Sequence, residues 1–336
     1  MPRRLMFTAP AQIVLEPYEP GKPGPGEVRV RSTVTTISTG TELTLYQGDV
    51  EPGSHWDQWI RFPINPGYST VGVVEAVGPG IDLLAPGDRV AHRRPHADCV
   101  VVAADDVARI PDTVSDSDAA WSTLAMIASL GVKAADLGLA DSVAVVGAGP
   151  IGQLVIRWVA VSGVNRLRVI DPVEPRLALA TAGGADATFA RSLADCLETR
   201  RNRYHLDEPV WTADDHDPPA VIIDTTGAAP VFADAQRAVA WGGRVVLLGD
   251  ARHPAQQHLT PWLLMKGLTI TGAHAFHERS PWSYRESAEA FFRLIAHGRL
   301  PMTGLVTDTF PAEQATEAYA RAASRDPAVV GIQLTW

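Results

Sequence analysis

The chain has 336 residues, with 38 acidic residues against 29 lysines and arginines and a formal net charge of −9 at pH 7. A chain of this length usually divides into two domains. Its basic residues are scattered, which argues against a surface for nucleic acid or for an anionic membrane. The two cysteines, Cys99 and Cys196, lie far apart, so a disulfide framework and a thiolate zinc cluster are both excluded. No secretory signal and no apolar run of about 18 residues is found, and a cytoplasmic globular protein is expected.

Roughly the first 115 residues predict a β-rich domain, because short apolar runs are separated by Pro and Gly turns. Two of these runs are "EVRVRSTVTT" and "STVGVVEAV", and two of the turns are "NPGY" and "APGD". Such spacing suits a small barrel or sandwich. The segment "SDSDAAWSTLAMIASLGVKAADL" then predicts a helix, with Ser and Asp as candidate N-terminal caps.

From about residue 141 the pattern changes to apolar strands that alternate with amphipathic helices. Five strands are predicted here, at "SVAVVGAG", "RLRVIDP", "AVIIDTTG", "RVVLLGD" and "LTITGAH". Continuous apolar strands between helices indicate a parallel sheet that is covered on both faces. The predicted fold class is therefore α/β, with a β-rich domain and a doubly wound parallel-sheet domain. Two helices and a closing strand, "VVGIQLTW", follow.

A phosphate-binding turn is predicted where the first of these strands meets its helix. Gly147, Gly149 and Gly152 have the G-x-G-x-x-G spacing. The first glycine permits a tight turn, the second lets the backbone approach a pyrophosphate, and the third lets helix and strand pack closely. Pro150 and Ile151, within the motif, open the helix whose N-terminus attracts phosphate. A glycine turn without a ligand is the alternative.

Asp171 ends the next strand about 20 residues further on, where a carboxylate can bind both hydroxyls of an adenosine ribose. A 2′-phosphate would meet like charge there, so NAD(H) is favoured over NADP(H), although a plain surface role for Asp171 stays open. Thr225, Thr226 and Gly249 follow two later strands and are expected beside the nicotinamide, since ligands of open α/β sheets bind at the carboxyl ends of strands. Structural turns would explain these three residues nearly as well.

The order of these features resembles the medium-chain dehydrogenase/reductase superfamily. The resemblance rests on "PGPGEVRVR", "GTELTLYQG", "PGYSTVGVVEAVG", "PGDRV", "VGAGPIGQL", "DTTG", "GGRVVLLG" and "HGRL". It implies a GroES-like catalytic domain formed by residues 1–120 and 272–336 and a Rossmann NAD-binding domain formed by residues 121–271. It also implies an active site in the cleft between the domains and a homodimer that extends the Rossmann sheet.

The zinc enzymes of that superfamily carry metal ligands that this sequence lacks. Thr39 stands where they have a ligand cysteine, Tyr68 where they have the ligand histidine, and Ser69 where a glutamate follows it. The third ligand position falls near Ala119, and the lobe with four cysteines is missing. Neutral hydroxyls and a methyl group are poor zinc donors, so no metal is expected. The stretch "ISTGTE…PGY" is most similar to the zinc-free branch that includes bacteriochlorophyllide a dehydrogenase.

Without zinc, a side chain must accept the substrate proton or stabilise the oxyanion. We hypothesise that Glu42 orients Tyr68, whose phenol hydrogen-bonds the substrate oxygen, and that Thr41 relays the proton, as the resemblance implies for its position. The alternative is that Tyr68 is only an aromatic wall and Glu42 a buried acceptor. His274 and His277 follow the last Rossmann strand, and either could serve as acid–base instead.

Aromatic residues on predicted loops are candidates for the substrate pocket, namely Trp56, Trp59 and Trp121, together with Thr39 and His277. The predicted function is a zinc-independent transfer of hydride between NAD(H) and a small secondary alcohol or ketone, such as a sugar, a cyclitol or a natural-product intermediate. Two alternatives stay open. One is a zinc-free quinone or enoyl reductase of the same superfamily, and the other is a non-catalytic NAD(H) sensor.

Overall fold

The computed structural model describes residues 1–203, 205–214, 217–278, 282–324 and 326–336. The chain forms two compact units. The outer unit comprises Met1–Met126 and Glu278–Trp336, and the central unit comprises Ile127–His277. The predicted boundaries, after residues 120 and 271, lie slightly earlier in the chain. Within the described ranges, no helix is both long and apolar enough to cross a membrane.

The β-strands, numbered in chain order, are β1 (Arg3–Ala9), β2 (Gln12–Pro17), β3 (Glu27–Ile37), β4 (Thr70–Val77), β5 (Arg89–His92), β6 (Cys99–Ala103), β7 (Val107–Arg109), β8 (Ser142–Val146), β9 (Arg166–Ile170), β10 (Ala187–Phe189), β11 (Leu197–Arg201), β12 (Asp207–Trp211), β13 (Val221–Asp224), β14 (Arg244–Leu247), β15 (Thr269–Gly272), β16 (Val306–Pro311) and β17 (Gly331–Thr335).

The α-helices are α1 (Thr41–Gln47), α2 (His55–Trp59), α3 (Asp116–Ala119), α4 (Ser122–Ala134), α5 (Pro150–Ala160), α6 (Glu174–Ala182), α7 (Ala229–Ala238), α8 (Pro261–Lys266), α9 (Tyr284–Ala296) and α10 (Ala315–Ala323). Short 3₁₀ turns begin at Ala104, Ala194, Pro254, Ala275 and Ala312.

The outer unit is organised around β3, the longest strand of its main sheet. The strand order is β16-β17-β3-β4-β5-β7, and β6 also pairs with β3. Val28 and Val30 point into the core, as the alternating pattern of this strand predicts. On one edge of β3, β6 pairs with residues 27–31 and β17 pairs with residues 34–37. The ends of two strands therefore meet at Ser32 and Thr33, and this junction matters below.

The central unit contains a six-stranded parallel sheet in the order β10-β9-β8-β13-β14-β15. Val143, Val145 and Val146 on β8 are buried, as expected for a central parallel strand. Gly149 is the N-cap residue of α5, which begins at Pro150. The predicted α/β class, with a β-rich domain and a doubly wound sheet domain, is confirmed.

An antiparallel hairpin of β11 and β12 lies between β10 and β13, in a segment for which the sequence pattern predicts neither a strand nor a helix. Trp211 at its end packs into the hydrophobic core with Ile222 and Phe232. Arg168, which is 1% exposed, lies 5.5 Å from the ring of Trp211 and pairs with Asp214 at 2.8 Å. The hairpin thus covers apolar surface of the sheet domain and supplies partners to a buried cation.

Candidate active site

The end of β3 and the start of α1 surround a buried carboxylate, Glu42, which is 0% exposed. Its Oε1 accepts the backbone N–H of Ser38 at 2.8 Å. Its Oε2 lies 2.9 Å from Nε2 of His96 and accepts the hydroxyl of Tyr319 on α10. Three elements far apart in sequence therefore converge on one carboxylate, whose hydrogen bonds offset the free-energy cost of its burial.

This geometry makes Glu42 an anchor that acts on Tyr68 through Ser38. The hydroxyl of Tyr68 donates to Oγ of Ser38 at 2.5 Å. Burial raises the pKa of Tyr68 to about 12, with a smaller contribution from the charge of Glu42, while the hydroxyls of Ser38 and Thr41 act in the opposite direction. The phenol therefore stays protonated at neutral pH and is available as a proton donor.

The backbone of the Tyr68 segment is fixed by hydroxyl groups. Oγ1 of Thr123 donates to the carbonyl of Tyr68 at 2.7 Å. Oγ of Ser69 donates to the carbonyl of Ala120 at 2.7 Å and accepts the N–H of Thr123 at 3.3 Å. Ser69, which stands where zinc relatives have a glutamate, thus holds Tyr68 against the first turn of α4.

A zinc ion does not fit this set of side chains. Thr39 is half-buried, the hydroxyl of Tyr68 is bonded to Ser38, and Ala119 is fully buried. His96 is the imidazole that contacts Glu42, and it is 0% exposed. Across the described part of the chain, no group of three or more His, Cys, Asp or Glu residues could hold a metal ion.

The three candidate tryptophans differ in exposure. Trp59 is 55% exposed on α2 and stacks on Trp56 with the ring centroids 5.2 Å apart. Trp56 and Trp121 are 2% and 0% exposed, and a Cβ on Gly331 would lie 2.3 Å from the ring of Trp121. Trp121 and Trp56 therefore belong to the core of the structure, and their contact with a substrate stays a prediction. Only Trp59 presents surface to a ligand among these three.

The two candidate histidines of the central unit lie just beyond β15. His274 is half-buried, its Nδ1 accepts the N–H of Phe276 at 3.2 Å, and the two rings are 4.5 Å apart. That contact leaves Nε2 as the protonated nitrogen of a neutral ring. His277 is exposed. Their proposed roles as acid–base or substrate residues stay predictions.

The glycine motif forms a cradle with room for a ligand. Gly147 has φ +92°, and a Cβ there would lie 2.6 Å from Oγ1 of Thr225. A Cβ on Gly152 would lie 2.0 Å from the carbonyl oxygen of Gly147. A Cβ on Gly149 would meet no atom within 4 Å. The first and third glycines are thus required by packing, whereas the space beside Gly149 is open for a pyrophosphate on the first turn of α5, which Pro150 and Ile151 begin.

The residues at the ends of β13 and β14 shape this crevice. Oγ1 of Thr225 lies 3.0 Å from the carbonyl of Val146 and 3.1 Å from that of Gly147. Oγ1 of Thr226 donates to Asp224 at 2.6 Å. A Cβ on Gly249 would lie 2.2 Å from a backbone nitrogen of the neighbouring turn. Each residue therefore has a structural role at the carboxyl edge of the sheet, and contact with a nicotinamide stays a prediction.

Asp171 holds the same loop from the end of β9. It is 5% exposed, its Oδ2 accepts the N–H of Ala148 at 2.6 Å, and its Oδ1 accepts the N–H of Val173 at 2.7 Å. A carboxylate has about four acceptor positions, so two are left for ribose hydroxyls. The residues present therefore fit an adenosine ribose and a pyrophosphate.

The glycine cradle on a doubly wound sheet, joined to a β-rich unit, defines the class of two-domain dinucleotide-binding oxidoreductases. The family model of the alcohol dehydrogenase GroES-like domain matches residues 24–146, and that of the zinc-binding dehydrogenase matches residues 150–293. The chain belongs to the medium-chain dehydrogenase/reductase superfamily, as the sequence motifs predict. Membership of its zinc-free branch stays a prediction.

Individual relatives are distant in sequence but match the whole chain. The D-guloside 3-dehydrogenase of Escherichia coli K12 is 24% identical, and the match covers 97% of each protein. An alcohol dehydrogenase of Escherichia coli, solved with NADH, superposes with a TM-score of 0.81 at 21% identity over 100% of this chain and 99% of its own. A protein from Sinorhizobium meliloti, solved with NADP, gives a TM-score of 0.79 at 18% identity over 100% and 99%.

Proposed function

We propose that this protein transfers hydride between NAD(H) and a secondary alcohol or ketone without zinc. The observation that carries the proposal is the hydroxyl group of Tyr68, hydrogen-bonded to Ser38, at a position that by the sequence resemblance corresponds to a zinc ligand. The family description names zinc, but the side chains at Thr39, Tyr68 and Ala119 offer no thiolate, imidazole or carboxylate. The disagreement between family and donor set supports a metal-free mechanism.

The cofactor is proposed to be NAD(H), bound by the glycine cradle and Asp171. When bound, it supplies a nicotinamide ring that exchanges a hydride with the carbinol carbon. The carboxylate of Asp171 favours free ribose hydroxyls over a 2′-phosphate because like charges repel. Since dinucleotides of both kinds occur among proteins of this fold, the choice of NAD(H) rests on Asp171.

Proton transfer is assigned to the hydroxyl cluster of the outer unit. In ketone reduction, the phenol of Tyr68 donates its proton to the substrate oxygen as the carbonyl carbon receives the hydride. In alcohol oxidation, the proton of the substrate hydroxyl leaves in the opposite direction through Tyr68 and then Ser38 or Thr41 to water. Glu42 positions this cluster by holding the N–H of Ser38. His274 remains the alternative donor.

The substrate is proposed to be a small polyhydroxylated or cyclic secondary alcohol. The exposed indole of Trp59 offers a surface on which a ring can stack, and Thr39 lies beside the hydroxyl cluster in sequence. The D-guloside dehydrogenase relative, whose name places its reaction at position 3 of a sugar, supports this class. A cytoplasmic homodimer joined through β15, the edge strand of the central sheet, completes the proposal.

Two other functions remain as alternatives. A quinone or enoyl reductase of the same superfamily would prefer NADPH, against which the charge of Asp171 counts. A non-catalytic NAD(H) sensor would bind the cofactor without turning over any alcohol or ketone.

The test uses the purified full chain, treated with a zinc chelator, and a library of secondary alcohols with NAD+ and NADP+. We expect turnover with NAD+, metal content far below one zinc per chain, and no loss of rate after chelation. Tyr68→Phe should lower kcat by ~10²–10⁴, the usual range for loss of a general acid–base group. Stoichiometric zinc, or a Tyr68→Phe enzyme with normal turnover, would contradict the proposed mechanism.

Tyr18→Phe is the matched control, because it also removes one phenol hydroxyl from the outer unit. The hydroxyl of Tyr18 is buried and has no hydrogen-bond partner in the structure as described. Its loss should leave kcat unchanged. His274→Asn tests the alternative donor, and a large loss of kcat in that variant alone would move the acid–base role from Tyr68 to His274.

A further inference from the structure

A cavity of about 550 Å³ opens in the outer unit at the junction where β6 and β17 meet along one edge of β3. It is lined by side chains of β3 and β4, by the loop at residues 19–22, and by Trp336. Along β3, strand pairing passes from β6 to β17 at Ser32. The small side chain of Ser32 leaves the space between the ends of these two strands unfilled.

Two guanidinium groups on the same face of β3 line this cavity. Arg29 and Arg31 both reach Glu75 through Nε, at 3.2 and 3.3 Å. The contact between Arg29 and Glu75 is an ion pair without hydrogen-bond geometry, since Nε of Arg29 is buried and makes no hydrogen bond. Among the described residues the terminal nitrogens of both arginines make no hydrogen bond, although both guanidinium groups lie beside Glu75. Each guanidinium therefore keeps donors in the planar arrangement that matches an oxyanion.

A buried hydroxyl beside them is also unsatisfied. Ser32 is 1% exposed and lines the cavity, and its Oγ has no hydrogen-bond partner among the described residues. A buried hydroxyl without a hydrogen bond is destabilising. The hydroxyl is closed to solvent in this structure, so Ser32 borders the cavity without offering its Oγ to a ligand.

The charge and the walls of the cavity restrict the ligand. Asp98 is held by Arg3, with two bonds to its Nε and backbone N at 2.9 and 2.7 Å. The lining holds three cationic side chains and, besides Asp98, two acidic ones, so its formal charge is zero, and an anion would be held by individual guanidinium groups rather than by a net charge. The cationic side chains are Lys22, Arg29 and Arg31, and the acidic ones are Glu19 and Glu75.

Apolar side chains form another part of the cavity wall. Trp336 is fixed by its indole N–H, which donates to Oγ1 of Thr35 at 3.0 Å, and Pro2 and Pro20 extend the wall. We propose that this cavity binds a small organic monocarboxylate, whose carboxylate accepts from Arg29 and Arg31 and whose apolar body lies on Trp336. The site belongs to the outer unit and does not depend on the proposed dehydrogenase activity.

The test is isothermal titration of the full chain, saturated with NAD+, with benzoate, benzamide and phenyl phosphate. We expect benzoate to bind and benzamide, its neutral counterpart, to bind at least ~10-fold more weakly, because charge-assisted hydrogen bonds are the stronger ones. Arg31→Gln should weaken benzoate by a similar factor. Ser32→Val should weaken binding by narrowing the cavity.

Arg200→Gln is the matched control, since it removes the same charge from an exposed position on β11 in the central unit. It should leave the benzoate affinity unchanged. Equal affinity for benzoate and benzamide, or an Arg31→Gln protein that binds like the wild type, would overturn the proposal. Tighter binding of phenyl phosphate than of benzoate would also overturn it, because a dianion would then be the preferred ligand.

Discussion

At the scale of single residues, the candidate site depends on hydroxyl groups that hold each other in place. Ser38 is the link, because its backbone N–H bonds to Glu42 and its Oγ receives the hydroxyl of Tyr68. Ser38 therefore holds both Glu42 and Tyr68 in position. A residue of this kind positions the proposed acid, and its hydroxyl is one of the two that are proposed to carry the proton onward.

Ser38→Ala should lower kcat about tenfold while the fold is retained, because the bond from its N–H to Glu42 remains. The hydroxyl of Ser38 lowers the pKa of Tyr68, so its removal should raise that pKa. Since this titration lies above the pH range in which an enzyme can be assayed, the expected readout is a lower kcat with an unchanged KM, which a merely structural role would not produce. Thr44→Val is the control on α1, since it removes a hydroxyl that bonds only to the carbonyl of Gly40.

The buried carboxyl of Asp224, at the end of β13, should make the free energy of unfolding depend on pH. Burial raises its pKa from 3.8 to about 6, against the opposing hydrogen bonds of Thr226. Between these two pH values the folded state keeps a proton that the unfolded state has lost, so the free energy of unfolding falls as the pH rises. The full loss at neutral pH is about 3 kcal/mol for a shift of this size.

Asp224→Asn has no proton to lose, so its stability relative to the wild type should increase from pH 4 to pH 6. Urea unfolding across this range measures the difference. Asp195→Asn should be nearly parallel to the wild type in this range and show the opposite sign at lower pH, because hydrogen bonds from Ser192 lower the pKa of Asp195 below 3.8 and its stabilising contribution is lost only as the pH falls below that value. Parallel curves for wild type and Asp224→Asn would show that the carboxyl of Asp224 titrates normally.

At the scale of secondary-structure elements, alanine substitutions at two glycines of the turn between β8 and α5 should have different effects, one on cofactor binding and one on stability. A Cβ on Gly149 meets no atom within 4 Å, and the residue has φ −70°, which alanine adopts freely. Gly149→Ala should therefore fold like the wild type but weaken NADH binding by at least ~10-fold, since its methyl group would occupy the space proposed for the pyrophosphate.

Gly152→Ala should instead lower the melting temperature of the chain itself. Its Cβ would lie 2.0 Å from the carbonyl oxygen of Gly147, so helix and strand must move apart. Fluorescence titration with NADH and thermal unfolding distinguish the two variants. Unchanged NADH affinity in Gly149→Ala would show that the cofactor does not bind at the glycine cradle.

Elements with a strong period were predictable from the sequence, and those without one were not. The apolar strand β8 and the glycine turn are local patterns, so their positions follow from sequence alone. The hairpin of β11 and β12 has only five residues in each strand and interrupts the alternation of strands and helices. Its stability comes from Trp211 and Arg168, whose contact joins residues far apart in the chain.

The partners of Glu42 show the same limit within the candidate site. Its position after β3 marks it as a carboxylate of interest, but the sequence carries no local signal for Tyr319, which lies 277 residues away. The burial of Trp56 and Trp121 is likewise a tertiary property, because aromatic residues on loops and helix ends have no periodic neighbours that would assign them to the core.

At the scale of the whole molecule, the proposed homodimer rests on the free edge of β15. Thr269 and Ala273 donate to the neighbouring chain segment through their N–H groups, so alternate residues face β14 and Ile270 faces the other edge. No strand within the described ranges pairs with that second edge. An edge of this kind is suited to pairing with a second copy.

Light scattering should give twice the chain mass of 36.0 kDa for the wild type. Ile270→Pro removes an outward N–H from the edge without removing a bond to β14, and it should give a monomer. Thr269→Pro removes an N–H that is bonded to Gly243 and should destabilise the central unit instead. A wild-type mass of one chain would exclude the dimer.

The hydroxyl cluster of Ser38, Thr41 and Tyr68 also has a consequence for survival under chemical stress. Hydroxyl oxygen is inert toward peroxides and mercurials, whereas a thiolate that binds zinc is attacked by both. Cys99 and Cys196 are buried, and burial raises the pKa of each thiol to about 11. An enzyme built in this way should stay active in oxidising or zinc-starved cells, where metal-dependent relatives lose their active-site ion.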